Sequence, residues 1–317
     1  MNRRTQKKMQ DKILAKISRL KKNREENHRR KEIQAARVGQ SNVFRRFCRN
    51  RLAILGTILF VALAIIGFSA DLFFDYEKDA IFNNMAIRYM HPCTEHIFGT
   101  DEFGRDILVR IIYGARISLF VGLGSVSIAL SVGALIGATA AYYGGKVDNI
   151  LMRIMDIFLA IPSSLLAICV VAAMGTGTLK MIIALGIADI PRFSRIVRSA
   201  VMSCKGQEYI EAAKACGTRD RRIIFRHILP NAMGPIIVQT TTNMARCVLT
   251  ISSLSFIGLG IAAPTPEWGS MLSGGRSMMR YHPHVVIFPG VAIMLAALSL
   301  YSIGDGLRDA LDPRLKN

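Results

Sequence analysis

The sequence predicts an all-α membrane protein with about six transmembrane helices. Three observations carry that reading. The 317 residues are 51% hydrophobic, with a mean hydropathy of +0.32, too apolar for a soluble domain of this length. Long uncharged apolar runs recur along the chain, and a helix needs roughly 20 such residues to cross a ~30 Å hydrocarbon core. Charge is segregated: of the formal +19, residues 1–51 hold 18 Lys/Arg against 4 Asp/Glu.

In chain order, residues 1–51 form a basic arm. Its length, and the absence of a small-residue cleavage site in the first apolar run, argue against a cleavable signal. Residues 1–40 contain no aromatic side chain, so base stacking has nothing to work with and nucleic acid is not an expected partner. A solvated, partly helical tail is the first reading. Anionic lipid is the second, since each Lys/Arg near such a surface contributes ~1 kcal/mol.

Residues 52–72 hold the first span, on the uncharged run Leu52–Ala70. Residues 73–116 form a loop, and residues 117–317 a five-helix core. Within the core, Ile117–Gly145, Ile157–Leu179 and Val285–Gly304 are uncharged. Two weaker runs complete the set: 178–197, interrupted by Asp189 and Pro191, and 232–262, interrupted by Arg246.

Lys/Arg bias in the loops sets the orientation. The arm lies in the cytoplasm. The loop 71–116 has more Asp/Glu than Lys/Arg and lies outside. Arg192–His227, with nine Lys/Arg, lies inside. Six crossings then return the C-terminal tail to the cytoplasm. The setting is a multi-pass plasma-membrane protein.

Catalytic signatures are missing. There is no phosphate-binding G-x-x-x-x-G-K-[ST] loop, no H-E-x-x-H and no G-x-S-x-G. The chain is expected to bind no cofactor or metal and to catalyse no reaction of its own. The six cysteines are scattered and form no C-x-x-C, which disfavours disulfides and zinc. His282 and His284 flank Pro283 in a loop, and two histidines alone read as a plain loop.

Within the spans, Arg153 and Asp156 are three apart and suited to pair. Pro162 removes a backbone donor and kinks its span. Gly122, Gly124, Gly133 and Gly137 suit close helix packing.

The most informative stretch is the polar, basic segment 205–231 between apolar runs. It reads as two short helices, Lys205–Cys216 and Arg219–Ile228. Gly217 ends the first in the left-handed conformation, Thr218 caps the second, and Pro230–Asn231 mark entry into the next span. Small Ala212 and Ala213 allow close approach to another surface. Glu211 and the arginines set register on that surface.

Glu211-Ala212-Ala213, Gly217 and Leu229-Pro230 stand at the spacing of the EAA loop of ABC importer permeases, which this segment resembles. His227 stands where the general pattern has Ile, and RHILPN looks like the peptide and nickel importer branch. The segments FGTDEFGRDILVRIIYGARISL at 98–119, AYYGGKVDNILMRIMDIFLAIPSSLL at 141–166, LSFIGLGIAAPTPEWGSML at 254–272 and GDGLRDALDPRL at 304–315 extend the resemblance to the dipeptide, oligopeptide and nickel importer permeases.

That resemblance implies a type I importer permease with a cytoplasmic coupling-helix loop. Glu211, Ala212, Ala213, Gly217, Arg221, His227, Leu229 and Pro230 are its implied ATPase-coupling residues. The implied partners are a second, similar permease, two ATPase subunits that bind the ATP and Mg, an external solute-binding protein and the bilayer. Di- or oligopeptides are the favoured cargo, with nickel or another small solute as the alternative.

Asp189 and Arg246 depart from the family pattern, as do Ile190 and Ile251. Charges inside a membrane are costly and face each other or a cavity. The two residues therefore read as a buried pair or as lining of the path. A gradient-driven transporter is the rival class, but it calls for repeated halves with paired interrupted spans, and no such repeat is visible. A membrane enzyme is a further alternative, and no nucleophile or metal constellation supports it.

Overall fold

A computed structural model describes residues 43–261 and 263–311, and its compact body begins at Asn50. Most of the basic arm, and the tail beyond Leu311, lie outside the described residues. Among the described residues the body is helical, apart from one isolated bridge between Thr100 and Asp106.

Helix α1 spans Arg51–Phe68 and starts where the Asn50 side chain accepts from the amides of Leu52 and Ala53, two donors that a helix start leaves unpaired. Helix α2, Ile107–Tyr143, is capped in the same way by Asp106 and ends at Gly144, φ +68°. Its 37 residues make about 55 Å at 1.5 Å per residue, far more than a bilayer core.

Helix α2 begins ten residues before the expected boundary at 117. The apolar-run criterion stops at Arg110 and Arg116, but both side chains find partners in the helix and loop before α2 and do not interrupt it. Arg110 donates to the Ala80 carbonyl at 2.7 Å. Arg116 donates to the Gly67 carbonyl at 3.1 Å and to Asp71 at 2.8 Å.

The expected third span, 157–179, falls on a bent helix pair. Helix α3, Gly145–Leu159, and helix α4, Ser163–Met174, meet at 83°. Pro162 sits at the break as the residue before α4, so it ends one helix and starts another. Asp156 pairs with Arg195 at 2.6 Å rather than with Arg153, because the packing of the next helix supplies a closer cation than α3 itself. Asp148 and Arg198 form a second, two-pronged pair at 2.5 and 2.6 Å.

Helices α5, Thr178–Lys205, and α7, Leu229–Phe256, have 28 residues each and length enough to span. The short helix α6, Glu208–Ala215, lies between them. Helix α8, Trp268–Gly275, is capped by Glu267, which accepts from the amides of Gly269 and Ser270 at 2.9 and 2.8 Å. Burial holds the Glu267 carboxyl above its ordinary range, against the pull of those amides. Helix α9 is His284–Leu311. By length and apolar composition α1, α2 and α9 qualify as spans alone, and the bent pair as a fourth. Helices α5 and α7 fall short because Asp189, Arg246 and a Thr/Asn-rich stretch dilute them.

Helices α2 and α5 run parallel and make the central contact. Gly124 faces Ile182, while Gly133 and Gly137 face Phe193 and Ser194. A Cβ at Gly133 would lie 2.6 Å from that of Phe193, so only glycine permits this approach. Gly122 faces Met244 and Val248 of α7 at ordinary distance. Helices α1 and α9 are antiparallel, with Asn50 donating to Asp309 at 3.2 Å and Gly56 against Ser302.

The body thus has two ends. Asn50, the C-terminus of α2, segment 205–228 and Leu311 share one. The loop 69–106 and residues 257–283 share the other. There, Trp268 is fully buried, donates to the Ile111 carbonyl at 2.9 Å and packs with Ile107, Val285 and Ala296.

Candidate functional site: the EAA segment and a polar bridge

Helix α6 closes with two backbone bonds. The amide of Thr218 reaches the Ala213 carbonyl at 3.1 Å, and that of Gly217 reaches Lys214 at 2.9 Å. With Gly217 at φ +70°, this is the Schellman arrangement, which satisfies carbonyls that the helix end would leave bare. Thr218 therefore finishes the first helix rather than starting the second. Arg219 occupies the next cap position, with no side-chain cap bond.

Lys205, expected to open the first EAA helix, instead ends α5 and donates to the Ala141 carbonyl at 3.0 Å. The second expected helix is a turn at Asp220–Arg222 followed by a π-helical stretch, Ile223–Ile228, that runs straight into α7. Pro230 does not break it. Proline has no amide to give and crowds the preceding turn, and the wider π geometry immediately before it makes room. Asn231 Nδ2 donates to the His227 carbonyl at 2.6 Å.

The segment has a buried side and an open side. Ile210, Ile223 and Ile228 are fully buried against Ala138 and Tyr142 of α2 and Val197 and Val201 of α5, with Ala213 and Leu229 packed at the edge. Tyr142 Oη donates to Asp220 at 2.6 Å, and the Lys214 ammonium lies 5.4 Å from the Tyr142 ring centre. Glu211, Ala212, Gly217, Arg221 and Pro230 are exposed, and His227 is half-buried.

The open side therefore offers the Glu211 carboxylate, small residues and arginine on a backbone held to two long helices. Ile210, Tyr142 and Asp220 were not singled out from the sequence. Ile210 is the one large aliphatic side chain of this short helix, which is the signal that marks an anchor.

Deeper between α5 and α7, the structure brings Asp189 and Arg246 together at 2.7 Å. Asn243 joins them: its Nδ2 donates to the second Asp189 oxygen at 3.1 Å, and its carbonyl oxygen accepts from Arg246. Cys247 Sγ is 3.7 Å from the same Asp189 oxygen. Asn243, Arg246 and Cys247 are spaced three and four apart, one face of a helix, so their grouping is implicit in the sequence. Only Asp189 comes from elsewhere. Asp189 and Asn243 are buried, and Arg246 keeps about a quarter of its side chain exposed, 27%.

Comparison with known proteins places this architecture. Residues 133–317 match the family described as binding-protein-dependent transport system inner membrane component, and residues 41–92 match the N-terminal TM domain of oligopeptide transport permease C. The chain is 47% identical over 274 residues to the dipeptide transport system permease protein DppC of Alkalihalophilus pseudofirmus, covering 86% of this chain and 90% of that protein. It is 42% identical to the glutathione transport system permease protein GsiD of Pectobacterium atrosepticum, covering 90% and 94%.

In structure it resembles a chain of the MetNI methionine ABC transporter in an inward facing conformation, with a TM-score of 0.54 and 18% identity over 64% of this chain and 96% of that one. That likeness establishes the fold, and the sequence matches establish the rest: this chain belongs to the binding-protein-dependent transport-system inner membrane components, the permeases of ABC importers.

Proposed function

We propose that this chain is one of two similar permeases in a bacterial importer of di- or oligopeptides, working with two ATPase subunits and an external solute-binding protein. The observation that carries the coupling role is the EAA segment itself: an open face with Glu211 and Gly217, fixed through Ile210, Ile223 and Ile228 to the ends of α2 and α5. ATP and Mg belong to the ATPases, and closure of those subunits displaces α6. The buried isoleucines transmit that displacement to two helices that line one another along their length. The substrate class rests on the relatives, which are named for dipeptide and glutathione transport. The segment's end of the body faces the cytoplasm, in keeping with the nine Lys/Arg of Arg192–His227.

The test is ligand-stimulated ATP hydrolysis by the reconstituted complex carrying Glu211→Lys or Gly217→Val. Both substitutions should abolish stimulation while the subunit still inserts. Stimulation at the unaltered rate would refute the coupling role. Uptake assays with labelled dipeptides and with Ni²⁺ separate the peptide reading from the metal one.

A further inference from the structure

At the end of the body opposite the EAA segment, three histidines from two distant stretches converge. His91 comes from the loop before α2, while His282 and His284 flank Pro283 at the start of α9. One ring nitrogen of each lies within 4.8 Å of the other two. Ring centres are 5.2 Å apart for His91 and His284, and 5.4 Å for His91 and His282. The plain-loop reading of His282 and His284 considered only those two, because His91 is almost two hundred residues away in sequence.

Two further observations point to a ligand. His284 is only 7% exposed, and its buried Nε2 makes no well-aligned hydrogen bond although the Met90 and Thr100 backbone lies beside the ring; Nδ1 of His282 is buried and unpaired. Leaving a buried imidazole nitrogen unpaired forfeits the water bond it had when exposed, with nothing in return. A coordinated ion removes that deficit.

The backbone around the cluster is also held unusually firmly. Tyr89 adopts φ +54°, the one non-glycine residue among those described with positive φ, and its ring stacks on His282 at 4.8 Å. Such strain persists where the surroundings over-determine a conformation, and it gathers at binding sites. Met90, next to His91, is tied to Thr100 in both directions, at 2.9 and 3.1 Å. A side chain at Gly99 would sit 3.0 Å from His284 Nε2, so glycine is needed for the ring to take its seat.

We infer that His91, His282 and His284 form a binding site for a divalent transition-metal ion that staples the loop before α2 to the start of α9. A set made only of imidazoles suits zinc, cobalt, nickel or copper, not magnesium or calcium, which require oxygen. Zinc bound to nitrogen at ~2.0–2.1 Å sets tetrahedral nitrogens about 3.3 Å apart. The cluster must therefore contract by roughly 1–1.5 Å. The widest gap, 5.9 Å between ring centres, is that of His282 and His284; exposed His91 and half-buried His282 both rotate toward the buried His284. A fourth position stays open to water.

The experiment uses the purified, tag-free full chain in its transporter complex. After equilibrium dialysis against micromolar Zn²⁺, bound metal is counted, and Co²⁺ is added separately to read the ligand geometry from its visible spectrum. One equivalent of zinc per chain and a tetrahedral cobalt spectrum are expected. His91→Gln and His284→Gln should each weaken zinc binding by more than the roughly 10–100-fold that loss of a supporting group costs. His96→Gln, on the same loop but bonded to Asp106, should keep it. Zinc should also raise the melting temperature of the wild type and not of His91→Gln. Because His91 is exposed, its replacement leaves the fold intact and decides the matter even if His284→Gln does not fold. No zinc bound by the wild type, or equal binding by His91→Gln, overturns the site.

Discussion

Asp189 and Arg246 show what a single ion pair means between two long helices of a membrane protein's core. Each charge is costly there alone, and each has its partner at 2.7 Å with Asn243 bridging. Removing one member of a buried pair typically costs ~3–5 kcal/mol, whereas replacing both by apolar residues of similar volume is often near neutral. Asp189→Leu and Arg246→Met should each lower the melting temperature and yield of the complex, and the double variant should recover most of that loss. A double-mutant cycle on thermal stability measures the coupling, and strictly additive losses would rule out a structural pair. A double variant that assembles normally yet transports nothing would assign Arg246 to the path. Gly217 makes the second prediction at this scale. At φ +70° a β-branched side chain costs roughly 1–2 kcal/mol locally, so Gly217→Val should loosen α6 and uncouple ATP hydrolysis with little effect on whole-body stability.

At the scale of elements, the α2–α5 contact depends on the absence of side chains. Gly133 and Gly137 let α2 touch the α5 backbone, and a Cβ at either would overlap Phe193 or Ser194. Small residues drive such contacts in membranes because lipid is as apolar as leucine and close packing supplies the gain. Gly133→Leu should therefore separate the helices and lower the yield of folded subunit, since overpacking a tight contact costs typically 1–3 kcal/mol and occasionally more. Gly122→Ala should be tolerated, as its nearest neighbour is at 3.8 Å. Thermal melts of the two purified variants distinguish these outcomes. If Gly133→Leu melts like the wild type, the contact is not tight in the working protein.

For the whole molecule, the six crossings expected from the sequence would put the EAA segment and the His91 loop on opposite faces of the membrane. Cys93 and Cys216 are both exposed and sit at opposite ends of the body. In intact cells, a membrane-impermeant thiol reagent should modify Cys93 and leave Cys216 untouched, and permeabilisation should expose Cys216. Modification of Cys216 from outside would invert the orientation.

Class, basic arm and EAA segment can be read along the chain, because hydropathy, charge bias and motif spacing are properties of contiguous residues. The sequence placed the left-handed turn at Gly217 for the same reason: a glycine's freedom is local. It set Asp189 and Arg246 as pair or path, but it left Asn243 unnamed. Other features depend on packing between distant stretches. Helix α2 starts at Ile107 because Arg110 and Arg116 find partners 30 to 49 residues away, which no local run of hydropathy registers. Pro162 stands at an 83° break between two helices, while Pro230 leaves its helix unbroken, since the same ring is a break or a passenger according to the turn before it. Asp156 chose Arg195 over its helix neighbour Arg153. His91 met His282 and His284 because packing brings distant stretches together, and contact between residues far apart in the chain is settled by the geometry of the whole core.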